Sequence, residues 1–126
     1  MNADILFFFQ EHMAVLPMYE KLEALLLEQI PDLKIKVSKT QISFSNKRGI
    51  AFVSFNPARK ANARPAVWMT VTFGLNEQKL SPRIDAAVEP YPNRWTHHVT
   101  VGSVDEVDDE LLGWIGEAAA FSENKR

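Results

Sequence analysis

Residues 33–56 read LKIKVSKTQISFSNKRGIAFVSFN, and apolar and polar side chains alternate along most of this stretch. A period of two is typical of β-strands that bury one face and expose the other. The residues Asn-Lys-Arg-Gly at 46–49 interrupt the alternation and suit a turn that ends in glycine. The stretch therefore predicts a strand over 33–37 and a β-hairpin over 40–56.

The same alternation recurs farther along the chain and predicts three more strands, over 67–73, 84–88 and 95–101. The residues between the last two, 89–93, include two prolines and are predicted to form a rigid loop. Before the first strand, apolar residues recur at helical spacing instead. That spacing predicts a helix over 3–15 and a second helix from Pro17 to about Ile30.

The C-terminal part of the chain carries a further apolar stripe at helical spacing, made of Val107, Leu111, Trp114, Ala118 and Phe121. Ser103 or Asp105 is predicted to cap this helix, since Ser103 and Glu106 have the spacing of a capping box. Because helices and strands are segregated along the chain, the sequence predicts an α+β fold. Its parts are two N-terminal helices, a mostly antiparallel sheet of about six strands, and a C-terminal helix packed on the sheet. At 126 residues, the chain is predicted to be a single domain over 1–126.

The composition and the absence of known motifs argue against several kinds of functional site and against a membrane span. The chain has no cysteine, so disulfides and thiolate metal sites are excluded. It has no glycine-rich phosphate loop, nucleophile elbow, zinc-protease motif or EF-hand spacing. No apolar run approaches the ~20 residues of a membrane span. We therefore expect a cytoplasmic protein without membrane association, metal or cofactor. We leave open whether it is an enzyme but favour a non-enzymatic role.

Charge is distributed unevenly along the chain. From Leu33 to Asn76 there are eight basic residues and no acidic one, whereas the rest of the chain holds six basic and sixteen acidic residues. The eight basic residues of the acid-free stretch lie between Lys34 and Arg64. Such asymmetry indicates an anionic partner, although the solvated face of one hairpin, balanced by acidic helices, would look the same.

Five residues are the candidates for a ligand-binding site. The cations Lys39, Arg48 and Arg94 lie at strand ends or in loops, where they either converge on a phosphate or remain dispersed. Trp68 and His98 share the alternation of the polar side of their strands. If the strands align, they join a platform of hydroxyl groups that could bind a small polar ligand or stack a base. The open alternative is an ordinary solvated Thr/Ser face.

The adjacent residues His97 and His98 are not predicted to bind one metal ion together. Neighbouring side chains of a strand point to opposite faces, so His97 is predicted in the core and His98 on the polar side. No catalytic residue is assigned.

Four segments also carry a likeness to a known family. They are VSKTQISF at 37–44, GIAFVS at 49–54, RWTHHV at 94–99 and VDEVDDELLGWI at 104–115. Together they resemble the uncharacterised bacterial family known as domain of unknown function 5655, over about residues 17–122. The resemblance implies a small α+β module, found alone or appended to other domains, with no established activity. The resemblance implies that Lys39, Arg48, Trp95 and His98 belong to the recognisable part of the family, with Arg48 directly before the second segment, and no catalytic residue carries over.

Three hypotheses about function follow. The first is a binding module that takes nucleic acid or a phosphorylated small molecule through the basic segment 34–64. The second is protein interaction or homodimer formation through the N-terminal helix, which carries three successive phenylalanines at 7–9. The third is an enzyme that uses His98 as a general base beside Asp85 or Glu89.

Overall fold

The computed structural model describes residues 2–124 and shows an α+β fold. Within that range the α-helices are α1 (Ala3–Phe8), α2 (Leu16–Gln29) and α3 (Asp109–Asn124). The strands are β1 (Lys34–Val37), β2 (Gln41–Ser45), β3 (Gly49–Ser54), β4 (Met69–Leu75), β5 (Ile84–Tyr91) and β6 (Arg94–Val101). Short 3-10 helices cover Met13–Val15, Ala61–Ala63 and Val104–Glu106. The predicted fold class is thus confirmed.

The strands form one antiparallel sheet in the order β1-β2-β3-β4-β6-β5. Its register aligns buried residues in rows on one face. One row contains Ile42, Val53, Val71 and Val99, and the next contains Phe44, Ala51, Phe73 and His97. We call this side of the sheet the core face. The helices pack against it, with Tyr19 of α2 stacked on Phe44 and Trp114 of α3 stacked on Phe73.

The first helix is shorter than predicted. It ends at Phe8, and the expected continuation to residue 15 is replaced by a turn and a 3-10 helix. The turn brings the ring of Phe9, which is fully buried, to 5.1 Å from the ring of Tyr19. The burial of this ring against Tyr19 and Phe55 outweighs the local preference for a longer helix, because helical propensity is weak compared with tertiary packing.

The start of the last helix also differs from the prediction. Asp108, rather than Ser103 or Asp105, caps α3, since its carboxylate accepts a hydrogen bond from the Leu111 backbone N–H at 3.1 Å. Ser103 instead precedes the separate 3-10 turn. The Glu106 carboxylate accepts a hydrogen bond from the Gly102 N–H at 2.6 Å, so it stabilises that turn and not the helix.

The hairpin of β5 and β6 is longer than predicted. Part of the expected rigid loop over 89–93 continues β5, and Tyr91 pairs with Arg94 across the hairpin. The turn between them consists of Pro92 and Asn93, and Asn93 has a positive φ of 62°. Proline followed by asparagine with positive φ fits a type II turn, which closes the hairpin in two residues.

Candidate functional site

The side of the sheet opposite the core face forms the candidate site. Strand register places a second set of residues in a row across this side: Lys36, Ser43, Phe52, Thr72, His98 and Ala86. Each is partly or fully exposed, in contrast to the buried rows of the core face. We call this surface the open face. The row runs from β1 at one edge of the sheet to β5 at the other.

The open face is basic. Strands β1, β2, β3, β4 and β6 contain no acidic residue, and alternation places Lys34, Lys36 and Arg94 on the open face. Strand β5 contains two acidic residues, Glu89 and Asp85, and Asp85 lies at a bulge. Its carboxylate is bound by Arg59 at 2.7 Å and by the Thr100 N–H at 2.8 Å. Strands β1, β2, β3, β4 and β6 therefore bring no carboxylate to the cations of the open face.

His98 lies on the open face with its ring fixed by a neighbour. Its Nδ1 is 2.9 Å from the Thr72 hydroxyl, while its Nε2 has no hydrogen-bond partner among residues 2–124. Burial lowers the pKa of His98 below its usual value, so the ring is neutral at neutral pH. A neutral imidazole held in this way has a hydrogen-bonding nitrogen to offer a ligand.

Phe52 is a central residue of the open face that the sequence did not reveal. It lies in the row between Ser43 and Thr72, and its ring is partly exposed. The ring packs over Gly49: a Cβ at that position would approach the Phe52 Cζ to 3.0 Å. Phe52 was missed because it stands within the apolar run of residues 50–53, which hides its alternation.

The loop over residues 55–68 covers one end of the open face. The Thr70 hydroxyl donates to the Asn56 carbonyl at 2.7 Å, and Thr70 is buried. Trp68 lies one residue before β4, where the Arg64 guanidinium lies over its ring at 5.1 Å and the Phe55 ring meets its edge. Because the ring of Trp68 already has these neighbours, Phe52 is the better placed aromatic residue for a ligand.

The remaining predicted site residues do not form one cluster. Lys39 lies in the turn between β1 and β2, and Arg48 lies in the turn between β2 and β3. These turns are at opposite ends of β2, and a strand of that length spans roughly 17 Å. Arg94 lies at the same end of the sheet as Arg48, two strand positions away from β3. The structure therefore brings His98 and Arg94 together on one surface but separates Lys39 from Arg48.

The enzyme hypothesis requires a carboxylate beside His98, but both candidate carboxylates bind other groups. Asp85 is held by Arg59 and by the Thr100 N–H, and Glu89 accepts a hydrogen bond from the Asn93 N–H at 3.0 Å. His98 itself contacts the Thr72 hydroxyl. The contacts that the structure describes therefore provide no histidine–carboxylate pair for general-base chemistry on this face.

His97 is a buried core residue, as its position in the alternation predicts. Its ring stacks on Phe73 with the centroids 5.0 Å apart, and its Nε2 accepts a hydrogen bond from the Lys79 N–H at 2.9 Å.

Residues 2–124 contain no group of three or more His, Asp or Glu side chains placed to hold a metal ion. No helix within the same range is long and apolar enough to cross a membrane.

Comparison with known proteins identifies the family. The family model described as Domain of unknown function (DUF5655) matches residues 7–122. The chain belongs to this family. The match confirms the resemblance seen in the sequence, and the DUF5655 region extends farther toward the N-terminus than expected, so it also includes the end of α1. Neither the curated proteins nor the solved structures gave a match to this chain.

Proposed function

We propose that this DUF5655 protein is a non-catalytic binding module whose open face takes an anionic partner, and that the partner is single-stranded nucleic acid. The observation that carries the proposal is the composition of the open face. Strands β1, β2, β3, β4 and β6 lack acidic residues, and cations share this face with a partly exposed aromatic ring and a neutral histidine.

The chemistry of these groups matches that of unpaired nucleotides. Lys34, Lys36 and Arg94 supply positive charge for the phosphate backbone. The ring of Phe52 offers a surface on which a base can stack, an interaction worth about 1–3 kcal/mol per base. His98 can hydrogen-bond to a base or a phosphate through Nε2. Sheet faces that combine these groups suit splayed bases better than paired ones, whose faces are hidden in the duplex.

The spacing of the cations favours an extended partner over a compact phosphorylated ligand. Lys36 lies on β1 at the edge of the sheet and Arg94 lies on β6, four strand positions away. At about 4.8 Å per strand, that separation is roughly 19 Å. A single phosphate cannot contact both side chains, whereas a strand of several nucleotides can cross the face between them.

Fluorescence anisotropy of labelled single-stranded RNA and DNA, measured over a salt series, tests this proposal. For single strands the slope of log K against log salt is about −0.7 per phosphate neutralised, so Lys36→Ala should reduce its magnitude by about 0.7. Lys47→Ala is the matched control, because Lys47 is also exposed but lies in the turn between β2 and β3. Phe52→Leu keeps an apolar side chain but removes the stacking surface, and should weaken binding about tenfold.

The proposal would be refuted by equal effects of Lys36→Ala and Lys47→Ala, which would indicate non-specific attraction without use of the open face. It would also fail if the single strands did not bind at low salt. A shift of the His98 resonances by nucleoside monophosphates, without oligonucleotide binding, would point instead to a phosphorylated small ligand.

A further inference from the structure

A groove separate from the open face lies between α1 and the turn that joins β1 to β2. Its volume is about 790 Å³. The rings of Phe7, Phe8 and Phe55 contribute its apolar lining, and Lys39 lines it from the turn. Phe8 and Phe55 stack on each other at 5.7 Å, so this part of the lining is a preformed aromatic surface.

The N-terminal segment beside this groove exposes large apolar side chains. Phe7 is 70% exposed although it contributes to the groove lining, and Leu6 and Met13 are 43% and 51% exposed. A single exposed apolar residue needs no explanation, but several on one short segment beside an aromatic groove are typical of an interaction surface.

The charged side chains of the groove lie on different walls. Asp4 and Glu11 line it from the N-terminal segment, and Lys39 lines it from the turn. Among residues 2–124 none of the three forms an ion pair. A surface with acids on one wall and a base on the other is complementary to itself when a two-fold axis relates two copies.

We propose that a second copy of this chain covers the groove in a symmetric dimer. Phe7 of each copy enters the groove of the other, and Lys39 of each copy faces Glu11 and Asp4 of the other. In an isologous interface every contact occurs twice. A small interface of this kind would therefore contain two inserted Phe7 rings and two sets of opposite charges.

The charge pattern and the extent of the apolar surface both favour a second copy over a small ligand. A purely anionic ligand would meet Asp4 and Glu11, and a purely cationic ligand would meet Lys39. A second copy presents the opposite arrangement by symmetry. Leu6 and Met13 lie outside the groove lining, so a small molecule inside it would leave them exposed, whereas a partner of protein size can cover them.

Sedimentation equilibrium tests the dimer through a charge exchange. Lys39→Glu and Glu11→Lys should each weaken the dimer about tenfold or more, because each places like charges together in both halves of the interface. An equimolar mixture of the two variants should recover the dimer as a heterodimer, in which both contacts again join opposite charges. Lys47→Glu and Glu28→Lys, which reverse exposed charges outside the groove, are the controls and should leave the dissociation constant unchanged.

Phe7→Ala supplies an independent test. Because Phe7 is mostly exposed, this variant should fold normally and yet dimerise about tenfold more weakly. The proposal is overturned if the protein is monomeric up to near-millimolar concentration. It is likewise overturned if a dimer forms that neither Phe7→Ala nor the charge variants weaken, or if the mixture of charge variants fails to recover it.

Discussion

Trp114 connects α3 to the sheet, and its replacement by alanine tests how α3 packs on the core face. The side chain is 8% exposed, its ring stacks on Phe73 at 5.6 Å, and the Arg83 guanidinium lies 5.9 Å from its centroid. A tryptophan buries about 250 Å² at most, which at about 25 cal/mol per Å² corresponds to about 6 kcal/mol. Residual burial in the unfolded chain reduces this by about 10–40%.

We therefore expect Trp114→Ala to lower the free energy of unfolding by about 3–5 kcal/mol, which agrees with large-to-small substitutions in other cores. With a urea m-value of about 2 kcal/mol/M, the unfolding midpoint should fall by about 2 M. Trp114→Phe is the control. It keeps an aromatic ring against Phe73 and should lose less than half as much stability. An unchanged midpoint for Trp114→Ala would refute the position of α3 on the sheet.

Substitutions at two further positions, His97 and Asp108, test particular contacts. Burial lowers the pKa of His97, so the stability that its neutral form contributes should be complete above about pH 6.5 and should fall as the pH drops below that value. His97→Phe should flatten this dependence in urea midpoints measured across a pH series, and should cost about 1 kcal/mol at pH 7 because the Lys79 N–H loses its acceptor. Asp108→Ala should cost about 1 kcal/mol through loss of the α3 cap, whereas Asp108→Asn should retain most of it. Equal losses for these two variants would instead assign the effect to the Arg83 ion pair.

Most of the fold could be predicted because its signals are local. The alternation over 33–56 gave a strand and a hairpin that the structure contains, and the stripe around Trp114 gave the C-terminal helix. The errors occur where long-range packing prevails. The first helix stops at Phe8 because Phe9 packs on Tyr19 of α2. The spacing of apolar residues within one helix gives no information about such contacts with another helix.

The candidate site could be predicted only in part. The polar alternation correctly placed His98 opposite His97, and the register then brought His98 beside Thr72. The separation of Lys39 from Arg48 was already implicit in the predicted hairpin, because the two residues flank a single strand. Phe52 was missed because the apolar run over 50–53 hides its alternation. The covered ring of Trp68 could not be foreseen, since it depends on where the loop over 55–68 lies.

The sequence by itself determined the elements, the two sides of each strand and the separation of basic from acidic segments, because these properties depend on residue spacing and residue type. The tertiary structure decided the strand order β1-β2-β3-β4-β6-β5, the side of the sheet that the helices cover, and the groove between α1 and the hairpin turn. Spacing within a strand fixes which side chains share a face. The neighbours of that face depend on contacts between distant segments, whose packing energies no local pattern encodes.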